Sequence, residues 1–312
     1  MAVVTGNQIV AGDFNDLSNK IQQTLGNGAG QYGYGQSILS GNVSSGEIIS
    51  KGTFDSLRFD IMSVLIHQTG NVPNPIVAQN TDAVLAEAQA PFKKYDSLIS
   101  NARTNRFDVA TSQTVTTGIG AGDGTPAIPG EYVTTASWSS SATLTVDMTF
   151  TDADECRHFF NSGGRVRITS TRTGGDSTQQ NSSWTQTLSS AGERAFGAKV
   201  TGNLKNFYDL TDSYQTFYEI TSSATYAANL YRLSAKCDVA NNVNGTASVV
   251  NIKVELLDNY TNIPDGPPPS DEVNGTLAIT VEEIKAAGFL QPDLDPFVIT
   301  SPTFNTPSIS VT

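Results

Sequence analysis

The chain has 312 residues, of which 38% are hydrophobic and only 15% charged, with a net charge of −12 at pH 7. That length allows about two domains or one large β domain, and the apolar fraction is enough for a core. An acidic chain with a pI near 4.5 and no dense cluster of Lys and Arg lacks the counterion-releasing surface of a nucleic-acid binder and does not suit an anionic membrane.

Met1–Val10 has neither the basic nor the apolar part of a secretory signal, and no apolar run approaches the roughly 20 residues that span a bilayer. A soluble protein made in a cytoplasm is expected. Phe14, Leu17, Ile21 and Leu25 then fall at helical spacing, with Asp13 as N-cap and Gly26 as stop. Gly28-Ala-Gly30-Gln-Tyr-Gly33 matches the dinucleotide fingerprint, which works only after a strand and at the start of a helix. Here it follows a helix, so a glycine-rich turn that seats Tyr32 and Tyr34 is the expected role. Phe54, Leu57, Ile61 and Leu65 repeat the helical pattern behind Thr53 and end near Gly70. His67 closes that helix, where a partly charged imidazole suits the C-terminal dipole. Pro91 opens a third helix with Phe92, Tyr95, Leu98 and Ala102 on one side. Such short helices are marginal alone, so residues 1–110 read as a helical docking or oligomerisation module. Residues 111–130, with Gly118, Gly120, Gly122, Gly124, Pro126 and Pro129, read as a flexible linker.

Beyond residue 130 the period changes from helical to two. In Ala142–Phe150 the residues Leu144, Val146, Met148 and Phe150 alternate with polar ones, and Tyr231–Val239 and Val250–Leu256 do the same. Each such run makes one dry and one wet face, the mark of antiparallel sheets packed on one side. Strands are predicted over Thr143–Phe150, Arg165–Thr171, Tyr214–Ile220, Tyr231–Val239, Val250–Leu256 and Thr276–Val281, with one more between Ser183 and Val200. Arg165, Arg167 and Arg172 are placed on an outward face. The fold class is therefore α+β: a small N-terminal helical module followed by an antiparallel β-sandwich over 131–290, immunoglobulin-like or jelly-roll-like. Pro264–Pro269 reads as an exposed loop. Residues 291–312 read as an extended C-terminal tail, mobile or pinned to a partner.

Chemistry-bearing residues are few. Asp152, Asp154, Glu155 and His158 could hold a metal if Asp154 and His158 share a helical face, but capping of a short helix explains the acids better. With only two histidines and no G-x-S-x-G elbow, nucleophilic hydrolysis has no positive sign. Cys156 and Cys237 with Trp184 between them imitate an immunoglobulin pairing, yet Cys156 lies in a helix-like stretch. Cys237 is expected to face the core beside Ala235 and Val239 as a small hydrophobe. Phe207, Tyr208, Tyr214, Phe217, Tyr218, Tyr226 and Tyr231 could form a sugar platform, although strand propensity and core packing explain most of them. No catalytic, cofactor-binding or metal residue is assigned, no cofactor is expected, and the chain reads as non-enzymatic.

Two segments carry a resemblance. Gln31-Tyr32-Gly33-Tyr34-Gly35-Gln36 precedes a helix ending His67-Gln68-Thr69-Gly70, and His158-Phe159-Phe160-Asn161-Ser162-Gly163-Gly164-Arg165-Val166-Arg167 follows an alternating strand. Together they resemble virion structural proteins of tailed bacteriophages, notably large phages of cyanobacteria, over residues 8–70 and 131–290. The chain departs from that family at Arg165, where an acidic residue is frequent. The resemblance implies a non-enzymatic particle component whose partners are itself and other virion proteins, with no nucleic acid and no membrane. It would reside in the virion after assembly in the host cytoplasm. The two-part layout and low charge favour a tail-associated place (fibre, baseplate periphery or neck appendage) and a closed homo-oligomer. A carbohydrate-binding adhesin touching a host surface glycan is the alternative, and a hydrolase of cell-surface polymer ranks below both. Within the second segment, Phe159 and Phe160 are expected to bury a helical turn against the sheet. Gly163-Gly164 would reverse the chain with positive φ, and Asn161 would bond its own turn.

Overall fold

A computed structural model describes residues 10–71, 89–124, 128–260, 272–288 and 297–312. Pro264–Pro269, Phe92's side chain and the start of the tail lie outside the described residues. The chain forms two compact units. A helical unit takes the described parts of Met1–Val115, Arg157–Gly163 and Lys285–Thr300. A sandwich unit takes those of Thr116–Cys156, Gly164–Ile284 and Ser301–Thr312.

The helical unit contains α1 (Ala11–Leu25), α2 (Lys51–Thr69) and α3 (Gln89–Thr104). Phe14, Leu17, Ile21 and Leu25 are all buried on one side of α1, and Phe14 meets Phe54 of α2 edge-on at 5.6 Å. Burial of each such side chain stabilises by about 1.5–3 kcal/mol, which offsets the weak intrinsic stability of short helices. The expected starts are corrected. The N-cap of α1 is Val10, with no side-chain bond, and Asp13 sits inside the first turn, where its charge still favours the positive end of the dipole. Ser50, not Thr53, caps α2: its Oγ accepts from the Thr53 amide at 3.2 Å. Gly70 ends α2 in the left-handed region. In α3, Pro91 is the third residue rather than the first, and the buried side is Tyr95, Ile99 and Ala102, with Leu98 half-exposed.

The sandwich unit has two sheets. In the first the order is β1 (Thr114–Gly118), β9 (Thr276–Ala286), β4 (Arg165–Thr173), β5 (Arg194–Gly197), with β2 (Glu131–Thr134) also on β9. In the second it is β10 (Thr303–Phe304), β3 (Ser141–Thr149), β8 (Val249–Leu257), β7 (Leu230–Cys237), β6 (Gln215–Thr221), with β11 (Ser310–Val311) also on β3. The registered pairs are antiparallel, and Leu144, Val254 and Leu233 stand side by side, as do Val146, Ile252 and Ala235. These six are fully buried, so the period-two pattern does make one dry face. The sheets meet through it: Phe196 of β5 lies 5.1 Å from Phe217 of β6, and the Ser170 and Tyr231 hydroxyls are bonded at 2.9 Å. The fold is thus α+β with a β-sandwich.

Several boundaries differ from expectation. The described start of residues 111–130 is no loose linker: β1 joins the first sheet, and the Ile119 amide donates to Val281 at 3.0 Å. The end of the tail is a pair of short strands on β3, and Pro302 and Pro307 fall just outside them, where no ladder donor is needed. A strand, β5, does lie between Ser183 and Val200, but Ser183 itself is in a helix, α5 (Gln179–Ala191). Its Gln/Ser/Thr-rich sequence is a weak helix former. It holds because Thr178 caps it at 3.1 Å and because Trp184, Leu188 and Ala191 are buried at helical spacing, Trp184 against Trp138. Arg172 is also corrected. Its even position puts it on the inner face of β4, 5% exposed, where its guanidinium donates to Asn181 O, Thr185 Oγ1, Gly174 O and Asn274 O. Arg167 points outward, to Glu282 at 2.7 Å.

Candidate functional site

A concavity of about 1000 Å³ lies in the helical unit beside the C-terminal end of α1. Its floor and walls come from the end of α1 and the glycine-rich loop that follows. The helix end leaves carbonyls without intrahelical partners, and the loop supplies them. The amides of Tyr34, Gly35 and Gln36 donate to Thr24, Gly26 and Leu25 at 3.0, 3.0 and 2.9 Å. The fingerprint-like glycines therefore sit at a helix C-terminus, where carbonyls converge. A pyrophosphate needs the opposite end, where amides do.

The short helix α4 (Ala153–Asn161) fixes this loop with residues from its last turns. Arg157 Nη1 donates to the carbonyl oxygens of Asn27, at 2.6 Å, and Tyr32. His158 Nε2 meets Asn27 O at 3.0 Å, and Asn161 Nδ2 donates to Gly33 O at 3.1 Å. Gly35 has φ +68 and lies against the His158 ring, so any side chain there would both strain the backbone and strike the imidazole. Farther along, Asp60 of α2, 1% exposed, accepts from the amides of Leu39 and Ser40 at 2.9 and 2.8 Å and from the Ser40 hydroxyl. The glycine-rich loop is thereby held from α4, and the chain just beyond Ile38 from Asp60.

The lining is neutral. Asn19, Gln23 and Asn27 present side-chain amides, Gln36 has its own amide bonded to Tyr34 O and to the Val298 backbone, and Tyr32 and Ile38 are the apolar surfaces. The residues that line it carry no charge, and Arg103 reaches its edge, its Nη2 donating to Gln23 Oε1 at 3.4 Å. Arg103 and Arg106 lie over the Tyr32 ring at 5.1 and 4.5 Å. Sequence reading weighed the glycines and tyrosines here and missed the amides. Part of the signal was present: Asn19 and Gln23 are four apart on the predicted helix, and Asn27 follows its Gly26 stop.

The other candidates are dispersed. Asp152 and Glu155 form the cap of α4: Asp152 Oδ1 accepts from the Glu155 amide at 2.9 Å, and Glu155 Oε2 from the Thr151 amide at 3.3 Å. His158 is turned to Asn27. No group of three or more His, Cys, Asp or Glu is placed to hold a metal among the described residues. His67 is not a partly charged helix end. It is fully buried, stacked on Phe297 at 4.0 Å, with Nε2 on Ser162 O at 3.1 Å. Burial pushes its pKa down to about 3, against a smaller upward pull from Ser162. Cys156 and Cys237 are both buried and free. Phe207, Tyr208, Phe217, Tyr226 and Tyr231 are core residues, so the aromatic cluster makes no platform; Tyr214 is the exposed member, at 36%, and Tyr218 is half-buried beneath Arg194.

Comparison of the chain with protein-family models, with curated proteins and with solved structures found no match.

Proposed function

We propose that this chain is a non-enzymatic structural component of a tailed-phage virion, tail-associated and assembled as a homo-oligomer with other virion proteins. The observation that carries the reading is the stitching of the chain. Each unit is closed by three separate stretches of sequence, and β10 and β11 fasten the tail to β3. Cross-stitching of this kind suppresses local opening, which suits a part that must hold its shape. The resemblance of residues 31–36 and 158–167 to virion proteins points the same way. Repeated copies of one chain close into rings, and with 15% charged residues their contacts would rest on apolar and neutral hydrogen-bonded surface. Light scattering of the purified chain and mass spectrometry of purified particles test this. A closed oligomer that is found in particles is expected. A monomer at every concentration removes the homo-oligomer, and absence from particles removes the virion assignment.

A further inference from the structure

We propose that the groove beside the end of α1 binds a neutral, hydroxyl-rich ligand, namely a short oligosaccharide. Its volume, about 1000 Å³, is at the upper end of small-ligand pockets, so several linked rings can enter. A side-chain amide offers an acceptor and two donors in one plane, and a sugar hydroxyl offers one donor and two acceptor lone pairs. Asn19 and Gln23 on α1 and Asn27 just past its end supply three such amides; Asn19 Oδ1 already accepts from Asn42 at 3.0 Å and Gln23 Oε1 from Arg103 at 3.4 Å, so these two offer chiefly their N–H donors and Asn27 both kinds of atom. Tyr32 and Ile38 supply apolar surface for the C–H faces of the rings.

The same lining argues against other ligands. A cation finds no carboxylate among the lining residues, and a phosphate or carboxylate would meet Arg103 only at the rim, where it already donates to Gln23 Oε1 at 3.4 Å and lies over the Tyr32 ring at 5.1 Å. A wholly apolar ligand would strip water from the amides without replacing their hydrogen bonds. An extended peptide binds chiefly by pairing with free backbone. Here the carbonyls of Thr24, Leu25 and Gly26 are already taken by the amides of residues 34–36. The glycine-rich loop and the chain just beyond Ile38 are also held before any ligand arrives, by Arg157, His158 and Asp60, which lowers the ordering cost of binding. The proposal is independent of the particle assignment, since a monomer can bind a sugar and an oligomer can fail to.

The full chain is titrated with chitotriose, maltotriose and mannotriose, with inorganic phosphate and triglycine as comparators, by saturation-transfer NMR and calorimetry. Binding of at least one trisaccharide at millimolar concentration or below is expected. Tyr32→Ala should lower that affinity by about tenfold or more. Because Tyr32 also stacks under two arginines, the second variant is Asn27→Ala, at an exposed side chain. It should weaken binding by about fivefold with an unchanged melting temperature. The proposal is overturned if none of the three sugars shows transfer at about 10 mM. It is equally overturned if binding survives both substitutions intact, or if triglycine or phosphate binds in preference to the sugars.

Discussion

The sandwich unit closes over two apolar sheet faces, with Arg172 buried at their edge, whereas the helical unit sets buried Asp60, His67 and Gln68 among its apolar side chains. In the sandwich, residues such as Leu144, Ile252 and Leu233 meet others of their own kind, and charged pairs such as Arg167–Glu282 stay on the wet side. In the helical unit Asp60, His67 and Gln68 are themselves nearly or fully buried. Gln68 Nε2 donates to the Tyr34 hydroxyl at 2.7 Å and to Ala102 O at 2.8 Å, and the Tyr34 hydroxyl donates to Arg106 O at 2.6 Å. Apolar faces tolerate small changes of shape, but a buried hydrogen-bond network fails when one member is lost. The difference teaches that the two units have different weak points.

The largest expected effect comes from Asp60→Ala. It leaves the Leu39 and Ser40 amides without their acceptor and should cost about 3–5 kcal/mol in denaturant unfolding. The matching deletion in the sandwich, Arg167→Ala, removes a pair with side chains about a quarter exposed, and should cost about 1 kcal/mol or less. Equal costs would erase the contrast. Gly163→Val comes next. Gly163 has φ +89, and a Cβ there would lie 2.8 Å from Val109 Cγ2, so strain and overlap together should cost about 3 kcal/mol. An unchanged calorimetric midpoint would count against this turn. The remaining effect is a slope. His67 is neutral when folded, with a pKa near 3, and takes a proton near 6.5 when unfolded. Its contribution is therefore whole above pH 6.5 and shrinks as the pH falls towards 3, by about 1.4 kcal/mol per pH unit. His67→Phe, which keeps a ring against Phe297, should flatten the stability profile between pH 6.5 and 4 by that slope; an identical profile would show that the imidazole is not the titrating group.

What could be read in advance follows the same division. Strands β3, β4, β7 and β8 were legible because alternation is a local property of a few consecutive residues. The helix α5 was not, because its Gln/Ser/Thr sequence hides a buried row of Trp184, Leu188 and Ala191. Arg172 was misplaced because Arg residues were grouped by type, although its parity differs from that of Arg165 and Arg167. The bonds that fix the helical unit join distant residues: His67 to Ser162, Arg157 to Asn27, Gln36 to Val298. No window along the chain contains both partners of such a bond. The groove escaped for a related reason. Part of its amide lining is visible in sequence, but the loop that turns it into a wall is fixed by α4, more than a hundred residues away.

Cys156 and Cys237 are both sealed from solvent, and burial raises both thiols above their ordinary pKa, so neither presents a ready thiolate to an alkylating reagent. A cysteine introduced at Ile48, 85% exposed, would accordingly react first. A fluorophore could be attached there without deleting either native sulfur, giving an optical handle for following how copies of the chain come together.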